Sequence, residues 1–499
     1  MKLFDRISQY ALEQPDAPAI VAGEDQITYA ELQLNLSCLK AELRALRVST
    51  LALALDNGPA WALLDLTATS CGITLVPLPP FFSHTQLEHA LKAAGVEMVI
   101  TDNGQGLQQS LPQLSLSEAQ NLQLCGHTLT CLATALPPQN LPSTISKITF
   151  TSGTTAEPKG VMLEWMHMEQ VVESLAEAVD VSTSDRHVAL TPMAVLLENI
   201  AGLYIPLWSG ASVALPSLRD TGLLGAAGLD AQKMLNTMTR YDATTAIFSP
   251  QMLQGMVTAL NAGAPYPEQL RFVALGGAAV SKRLLQQALE LQLPVYEGYG
   301  LSEFSSVVCL NRLGDQRLGS VGKPLKHVAL KIADDGEVLI SGNCFTGYLG
   351  DSKQESSKRW WHSGDIGFLD DDGFLHLQGR RRHVFITAYG RNVSPEWVER
   401  ELVMEPAIAQ AAIFGEARPW NCAVILPSAS AGDIDVEAAI EQVNALLPDY
   451  ARITQWLIAD SPFGIENGQL SGTGRLRRES IYQYYQERID ALYLEELVS

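Results

Sequence analysis

Between residues 148 and 291 short β-branched runs alternate with amphipathic stretches, and this alternation restricts the fold more than any other feature of the chain. Ile148–Thr151, His187–Thr191, Thr244–Ser249 and Arg271–Leu275 read as strands. Between them Trp165–Ala178, Asp230–Tyr241, Gln251–Leu260 and Ser281–Leu291 repeat apolar residues at three and four, which is helical spacing. Strands separated by helices predict parallel sheets layered by helices. Near residue 330 the texture changes to short alternating strands with tight polar turns. Ala329–Ile332, Asp334-Asp335-Gly336 and Glu337–Ser341 come first, then Asp370-Asp371-Asp372-Gly373 and Phe374–Gln378. After Arg380-Arg381-Arg382 the pattern becomes α+β, with helices predicted at Pro395–Met404, Val436–Leu446 and Arg478–Leu492. The fold class is therefore α/β. A large N-terminal domain of helix-layered sheets with a β-rich subdomain spans 1–380, a small α+β C-terminal domain spans 381–499, and the basic run is the hinge between them.

A chain of 499 residues, 47% apolar and without repeats or low-complexity tracts, suits such a globular arrangement. Its 34 Lys+Arg against 55 Asp+Glu give −21, which repels nucleic acid and anionic lipid from any broad face. An anionic ligand must be caught locally. Asp5, Arg6 and Glu13 interrupt what would be the apolar core of a signal peptide. The richest apolar stretch, Ala189–Pro216, is broken by Pro192, Glu198, Asn199 and Pro206, so no transmembrane segment is expected and the reading is cytoplasmic. Seven cysteines without a CxxC pair argue for reduced thiols, and Cys125, His127 and Cys131 lack the second ligand pair that a zinc site needs.

Four segments carry chemistry. Ile148-Thr-Phe-Thr-Ser-Gly-Thr-Thr-Ala-Glu-Pro-Lys-Gly160 is a strand running into a loop that offers backbone N–H groups, the hydroxyls of Thr151, Ser152, Thr154 and Thr155, and the Lys159 cation. That set suits a polyphosphate. A Walker A loop counted from Gly153 would need glycine where Pro158 stands. Tyr296-Glu-Gly-Tyr-Gly-Leu-Ser-Glu303 lacks the last glycine of a hydrolase elbow; it reads as a Gly-flanked loop with an aromatic ring for base stacking beside a carboxylate. In Trp360-Trp-His-Ser-Gly-Asp365, followed by Gly379-Arg380, the aspartate can accept two ribose hydroxyls and the arginine can reinforce that grip, although Gly-Asp is equally a common turn cap. In Ala388-Tyr-Gly-Arg-Asn-Val-Ser-Pro-Glu-Trp-Val-Glu399, Ser394 is expected as N-cap with Pro395 at the first helical position.

The order and spacing of the four segments resemble the AMP-forming adenylating enzymes, which comprise acyl-CoA synthetases, luciferases and peptide-synthetase adenylation domains. The resemblance runs from Ile27-Thr-Tyr-Ala-Glu-Leu32 to Gly472-Thr-Gly-Arg-Leu-Arg-Arg478. It implies activation of a carboxylate by ATP and Mg²⁺ to an acyl-adenylate, with release of pyrophosphate. Transfer to a thiol of CoA or of phosphopantetheine on an acyl carrier protein then follows rotation of a mobile C-terminal cap. Carried over by position, Thr151, Ser152, Gly153, Thr154, Thr155 and Lys159 resemble the phosphate loop. Gly276, Gly277, Ala278 and Tyr299 resemble the adenine wall, Ser302 a phosphate contact and Glu303 the Mg²⁺ ligand. Asp365 and Arg380 resemble the ribose clamp, and Arg382 sits at the hinge.

Within the family, Pro192-Met-Ala-Val-Leu-Leu-Glu198, Tyr389-Gly-Arg-Asn-Val-Ser-Pro395 and Phe463-Gly-Ile-Glu-Asn-Gly468 resemble the fatty acyl-CoA synthetases, with Val195 in place of a larger gate residue. Val195 and Gly300 are the expected substrate-pocket residues. An apolar wall without an aspartate between Asp185 and Asp220 favours a medium- or long-chain fatty acid over an amino acid. Three positions depart from the family. Ala156 replaces a glycine, His383 stands where aspartate is frequent, and Arg475 takes the place of the lysine that touches the reacting carboxylate. An acyl-AMP ligase without CoA activity, and a nucleotide- or acyl-binding pseudoenzyme, are the rival readings.

Overall fold

The computed structural model describes every residue except 152–157, 225–227, 279, 343, 352–359, 430, 472–473 and 496–499. Ser152, Gly153, Thr154, Thr155 and Ala156 therefore lie outside the described residues. Among those described, two large sheets carry the N-terminal portion. One runs in the order Lys323–Pro324, Cys309–Leu310, Val295–Tyr299, Phe272–Leu275, Thr245–Phe248, Arg186–Val188, Ser212–Ala214, Pro18–Ala22, Asp25–Thr28. Its centre is parallel, as the alternation predicts: His187 aligns with Thr245, Thr245 with Phe272, and Val273 with Val295. The other sheet is built around Thr50–Ala54, Thr74–Pro77 and Met98–Thr101, and it includes Ile145–Thr151 and its antiparallel neighbour Lys159–Glu164.

The predicted helices form at Trp165–Val179, Ala231–Arg240, Pro250–Asn261 and Lys282–Glu290. Local chemistry sets their starts. Ser249 Oγ accepts the Met252 N–H and Pro250 opens the first turn, while Ser281 Oγ accepts the Arg283 N–H. The central strands are covered on both faces. Ala246, Phe248, Val273 and Leu275 pack with Met252, Leu253, Met256, Leu284 and Leu285 in one core. Phe272, Ala274 and Tyr296 turn the other way, towards Leu175 and Val179. Burial on both sides explains why these strands read as apolar runs rather than as alternation.

The β-rich subdomain is a four-stranded antiparallel sheet of Val328–Ile332, Glu337–Gly342, Trp361–Leu369 and Leu375–Arg380. Gly336 and Gly373 take positive φ in the two turns that the Asp-Gly clusters predict. In the C-terminal portion three strands, Ile408–Phe414, Asn421–Pro427 and Ile453–Ile458, alternate their side chains between two cores. Ala411, Ile413, Ala423 and Ile425 face Pro395–Val403 and Asp433–Leu446; Ala412, Phe414, Cys422 and Val424 face Arg478–Glu495.

Three local expectations change. Tyr299 is not on a loop but is the last residue of the strand Val295–Tyr299, because the antiparallel strand Cys309–Leu310 pairs with it there, Cys309 opposite Tyr299. Asp365 is not a turn cap; it lies inside Trp361–Leu369 with Arg380 directly opposite in the ladder. Ser394 does occupy the N-cap position with Pro395 after it, yet its hydroxyl makes no cap and bonds Glu396 instead. The broken apolar stretch from 189 onwards forms a π-helix, Glu198–Tyr204, followed by the short helix Ile205–Ser209. No helix among the described residues is long and apolar enough to cross a membrane.

Gly300 shows where backbone crowding dictates the residue. The chain after it folds back through Ser306, whose N–H donates to the Leu301 carbonyl, and a Cβ on Gly300 would lie 1.5 Å from the Ser306 carbonyl oxygen and 2.8 Å from Val307 Cα. Gly300→Ala should lower stability by on the order of 3 kcal/mol, since overpacking against backbone cannot be relieved by a rotamer change. A melting temperature equal to that of the parent would contradict this crossing.

Candidate active site

The carboxyl ends of the parallel strands open onto one cleft of about 2840 Å³ that also borders the C-terminal portion. Typical single-ligand pockets hold roughly 300–1,000 Å³, so the space here suits several groups at once. Every predicted site residue among those described borders the cleft: Thr151, Lys159, Val195, Gly276, Gly277, Ala278, Tyr299, Gly300, Ser302, Glu303, Asp365, Arg380, Arg382 and Arg475.

Thr151 ends its strand and Lys159 begins the next, paired with it in antiparallel register. The Lys159 ammonium lies 5.2 Å from the centre of the Tyr348 ring. The Tyr348 hydroxyl donates to Glu303 Oε1 at 2.6 Å, and burial, then the Glu303 charge, pushes that phenol upward so that it stays a donor. Lys159, Tyr348 and Glu303 thus form one unit. Tyr348 was not foreseen, because Gly347-Tyr348 is too short a strand to leave a pattern. Glu303 itself sits in the turn Ser302–Phe304 immediately past the Tyr299 strand.

Elsewhere in the cleft a second tyrosine holds a second acid. Tyr299 hydroxyl donates to Asp365 Oδ2 at 2.6 Å, and Arg380 Nε lies 2.9 Å from Asp365 Oδ1. Arg380 also donates to the Ser363 carbonyl at 3.1 Å. Burial raises the Asp365 carboxyl from its ordinary value while Arg380 pulls against it. The Asp–Arg pairing was legible in the sequence as a spacing, whereas the Tyr299 bond crosses between two sheets and left no local signal.

Gly276 and Gly277 follow the strand Phe272–Leu275. Gly277 has φ +85°, with open space where a side chain would begin, and Leu197 lies over Gly276. Arg475 reaches this turn from the C-terminal portion and donates to the Gly277 carbonyl, with Asp365 and Arg380 in electrostatic range. Arg478 is engaged elsewhere. It donates to both oxygens of Glu399, at 2.8 and 2.7 Å, and approaches Glu396. Burial alone would raise the Glu396 carboxyl, but its bond to His383 and the Arg478 charge hold it down at about 2. His383 therefore ties the turn after Arg382 to the helix Pro395–Val403.

From Val195 the cleft continues as an apolar chamber. Leu197, Ala201, Ile205, Phe272, Ala274, Leu175, Val179 and Val181 line it, with Asp185 beside them. His187 borders it, with its ring bonded to Thr245 Oγ1 at 3.0 Å and Glu198 Oε1 at 2.8 Å.

Residues 7–349 match the AMP-binding enzyme family and residues 383–497 the AMP-binding enzyme C-terminal domain. The chain belongs to the AMP-binding enzyme family. The long-chain-fatty-acid–CoA ligase FadD15 of Mycobacterium bovis is 24% identical over 93% of each chain. The 2-succinylbenzoate–CoA ligase of Bacillus mycoides is 27% identical over 89% of this chain and 92% of its own. The o-succinylbenzoate CoA synthetase of Bacillus subtilis, solved with ATP and magnesium ion, shares the fold with a TM-score of 0.74 at 21% identity, covering 95% of this chain and 98% of that one. The protein is an enzyme, an AMP-forming acid–thiol ligase.

One ionisable group in the cleft was missed by sequence reading. Glu297 lies between the halves of the molecule, and burial pushes its carboxyl up to about 7 against the opposing pull of the Gly319 N–H, Arg400 and Lys282. The folded state therefore binds this proton more tightly than the unfolded chain, whose ordinary value is 4.5. Its contribution to stability is present below 4.5 and is lost as the pH rises through about 7. Glu297→Gln should flatten that decline. Urea titrations across the window that give parallel curves for parent and variant would remove Glu297 from the explanation.

Proposed function

We propose that the enzyme activates a medium- or long-chain fatty acid with ATP and Mg²⁺ to an acyl-adenylate, releases pyrophosphate, and transfers the acyl group to the thiol of CoA. The observation that carries the acid's identity is the apolar lining that runs from Val195, Ala201 and Ile205 to Leu175 and Val179, which offers a chain many contacts, while the Asp185 carboxylate that also borders it is already taken up by Arg271. The carboxyl head then lies at the mouth of the chamber, between Gly300 and the Lys159–Glu303 unit.

In this reading Asp365 accepts the ribose hydroxyls. Arg380 and Tyr299 each use one of its oxygens and leave lone pairs free on both, because a carboxylate has about four acceptor positions. Gly276, Gly277 and Ala278 pass along the base, and Thr151, Ser302 and Lys159 contact the phosphates together with Ser152, Gly153, Thr154 and Thr155. A single carboxylate supplied jointly with substrate phosphates is a normal Mg²⁺ donor set, and Glu303, turned by Tyr348, fits that role. The ion supplies charge neutralisation at the phosphates. Lys159 beside Glu303 and Arg475 at the Gly277 turn bring positive charge from two sides, so the oxygen leaving with pyrophosphate departs from a site already prepared for it. Residues 1–380 act as the AMP-binding domain and 381–499 as a mobile cap pivoting at Arg382.

A panel of straight-chain acids, assayed for pyrophosphate release with and without CoA and with an acyl carrier protein in place of CoA, tests this reading. CoA-dependent thioester from the longer acids supports it. Adenylate without thioester favours the acyl-AMP ligase, and nucleotide binding without turnover favours the pseudoenzyme. Val195→Trp should move the preferred acid to shorter chains, since a packed interior does not absorb the added volume freely. An unchanged profile would put Val195 away from the chain.

Arg475→Ala should depress adenylate formation by roughly two to three orders of magnitude, the scale of one preorganised electrostatic group. Transfer from a supplied acyl-adenylate should be nearly intact, and Arg475→Lys should retain the first step. Equal loss of both half-reactions in the alanine variant would take Arg475 out of adenylation.

A further inference from the structure

The strand that delivers the hydroxyl-rich loop carries a lysine in its buried middle. Lys147 lies four positions before Thr151 and is 1% exposed. Its ammonium donates to Asp65 Oδ1 at 2.6 Å, to the Tyr204 hydroxyl at 2.9 Å and to Asn199 Oδ1. Those are all the donors an ammonium has. The Tyr204 hydroxyl donates in turn to Asp65 Oδ2 at 2.6 Å, and Asn199 Nδ2 donates to the same oxygen at 3.3 Å. Asp65, fully buried, sits in the helix Pro59–Cys71. Three separate elements therefore meet in one satisfied polar cluster.

Two of its members, Asn199 and Tyr204, belong to the π-helix Glu198–Tyr204. That helix is held from another side as well: Glu198 accepts from His187 through Oε1, and from the N–H of Thr191 at 3.1 Å and its hydroxyl at 2.6 Å through Oε2. Gly202 is part of this contact, because a Cβ there would lie 2.2 Å from Glu198 Oε1. Leu197, Ala201 and Ile205, at or beside the same turns, wall the apolar chamber. A π-helix is a rare winding that is frequently found at functional sites. A buried ion pair is likewise a poor source of net stability, since apolar residues of similar volume hold a core as well or better. Both features point to placement rather than to cohesion.

We propose that Lys147, Asp65, Asn199 and Tyr204 are positioning residues that lock the chamber-walling π-helix to the strand carrying the phosphate-binding loop, and so fix chain-length selectivity. This rests on the acyl-chamber reading above. The strand brings Thr151 to the nucleotide end, and the π-helix brings Leu197, Ala201 and Ile205 to the acyl end. With the two joined by directional bonds, an acid whose chain fills the chamber has its carboxyl at one set distance from Thr151. Chains that fit poorly then lose reactivity.

The test uses the full-length enzyme and two variants. Tyr204→Phe removes one hydroxyl from the cluster. Lys147→Met combined with Asp65→Leu removes both charges together and leaves apolar side chains in their place, so that neither charge is left buried alone. In both, KM for the best straight-chain acid should rise about tenfold, the scale of one buried hydrogen bond, and the chain-length profile should broaden. KM for ATP should stay within about twofold of the parent, a spread well below one buried hydrogen bond. Amide exchange across residues 198–205 should quicken about tenfold while the helix Trp165–Val179 keeps its protection. A double variant with an unchanged acid profile and unchanged exchange overturns the proposal, as does a parallel rise in both KM values or a uniform loss of protection. If the parent turns over no acid in the series, the fatty-acid reading fails, and the exchange pattern still decides whether the cluster holds the π-helix.

Discussion

Parallel pairing of Arg186–Val188, Thr245–Phe248, Phe272–Leu275 and Val295–Tyr299 is the constraint on which the rest of the molecule depends. Parallel strands all end on the same side, so the segments that follow them must converge there. Thr191, Pro192, Ala194–Leu197, Ser249, Gly276–Ala278 and Gly300–Glu303 come from distant parts of the sequence and line one cleft for that reason. In open α/β sheets ligands bind outside the carboxyl ends of the strands, and this cleft follows the rule. Moving any one strand by a single residue would exchange its two faces, taking Phe272 and Ala274 from the chamber into the opposite core.

Within the cleft, charge is organised by tyrosines. Tyr348 holds Glu303 and Tyr299 holds Asp365, each through a 2.6 Å bond from a phenol that is half-buried in the first case and buried in the second. Such a donor orients a carboxylate without cancelling its charge, which leaves the acid able to act on a ligand. Lys159, Arg380 and Arg475 gather around them, although the chain as a whole carries −21. The surface charge therefore says nothing about this site, where short range and low dielectric give local cations the larger effect.

The C-terminal portion meets the cleft through a few specific contacts. Arg400 donates to the Val280 carbonyl at 2.8 Å, Arg283 pairs with Glu405, and Arg475 caps the Gly277 turn. Arg478, closely adjacent in sequence to Arg475, instead binds Glu399 and Glu396 and fastens the last helix to Pro395–Val403. The two arginines are alike in type, and only their surroundings separate a residue facing the ligand space from one that holds the domain together.

Much of this was legible in the sequence. Periodicity determined which segments are helices and strands between 148 and 291, and Asp-Gly turns determined the β-rich subdomain, because both signals come from neighbours along the chain. Hydroxyl, glycine and lysine spacing suggested a phosphate-binding loop for the same reason. The partners of Glu303 and Asp365, the raised Glu297 carboxyl and the Lys147 cluster were decided by tertiary structure alone. Each joins residues from separate strands or sheets, and a lone Tyr348, Lys147 or Asp65 has no periodic or local pattern to announce it. Tyr299 marks the boundary between the two. Its type and place in the chain suggested an aromatic wall, while burial and the approach of a second sheet set where its hydroxyl points.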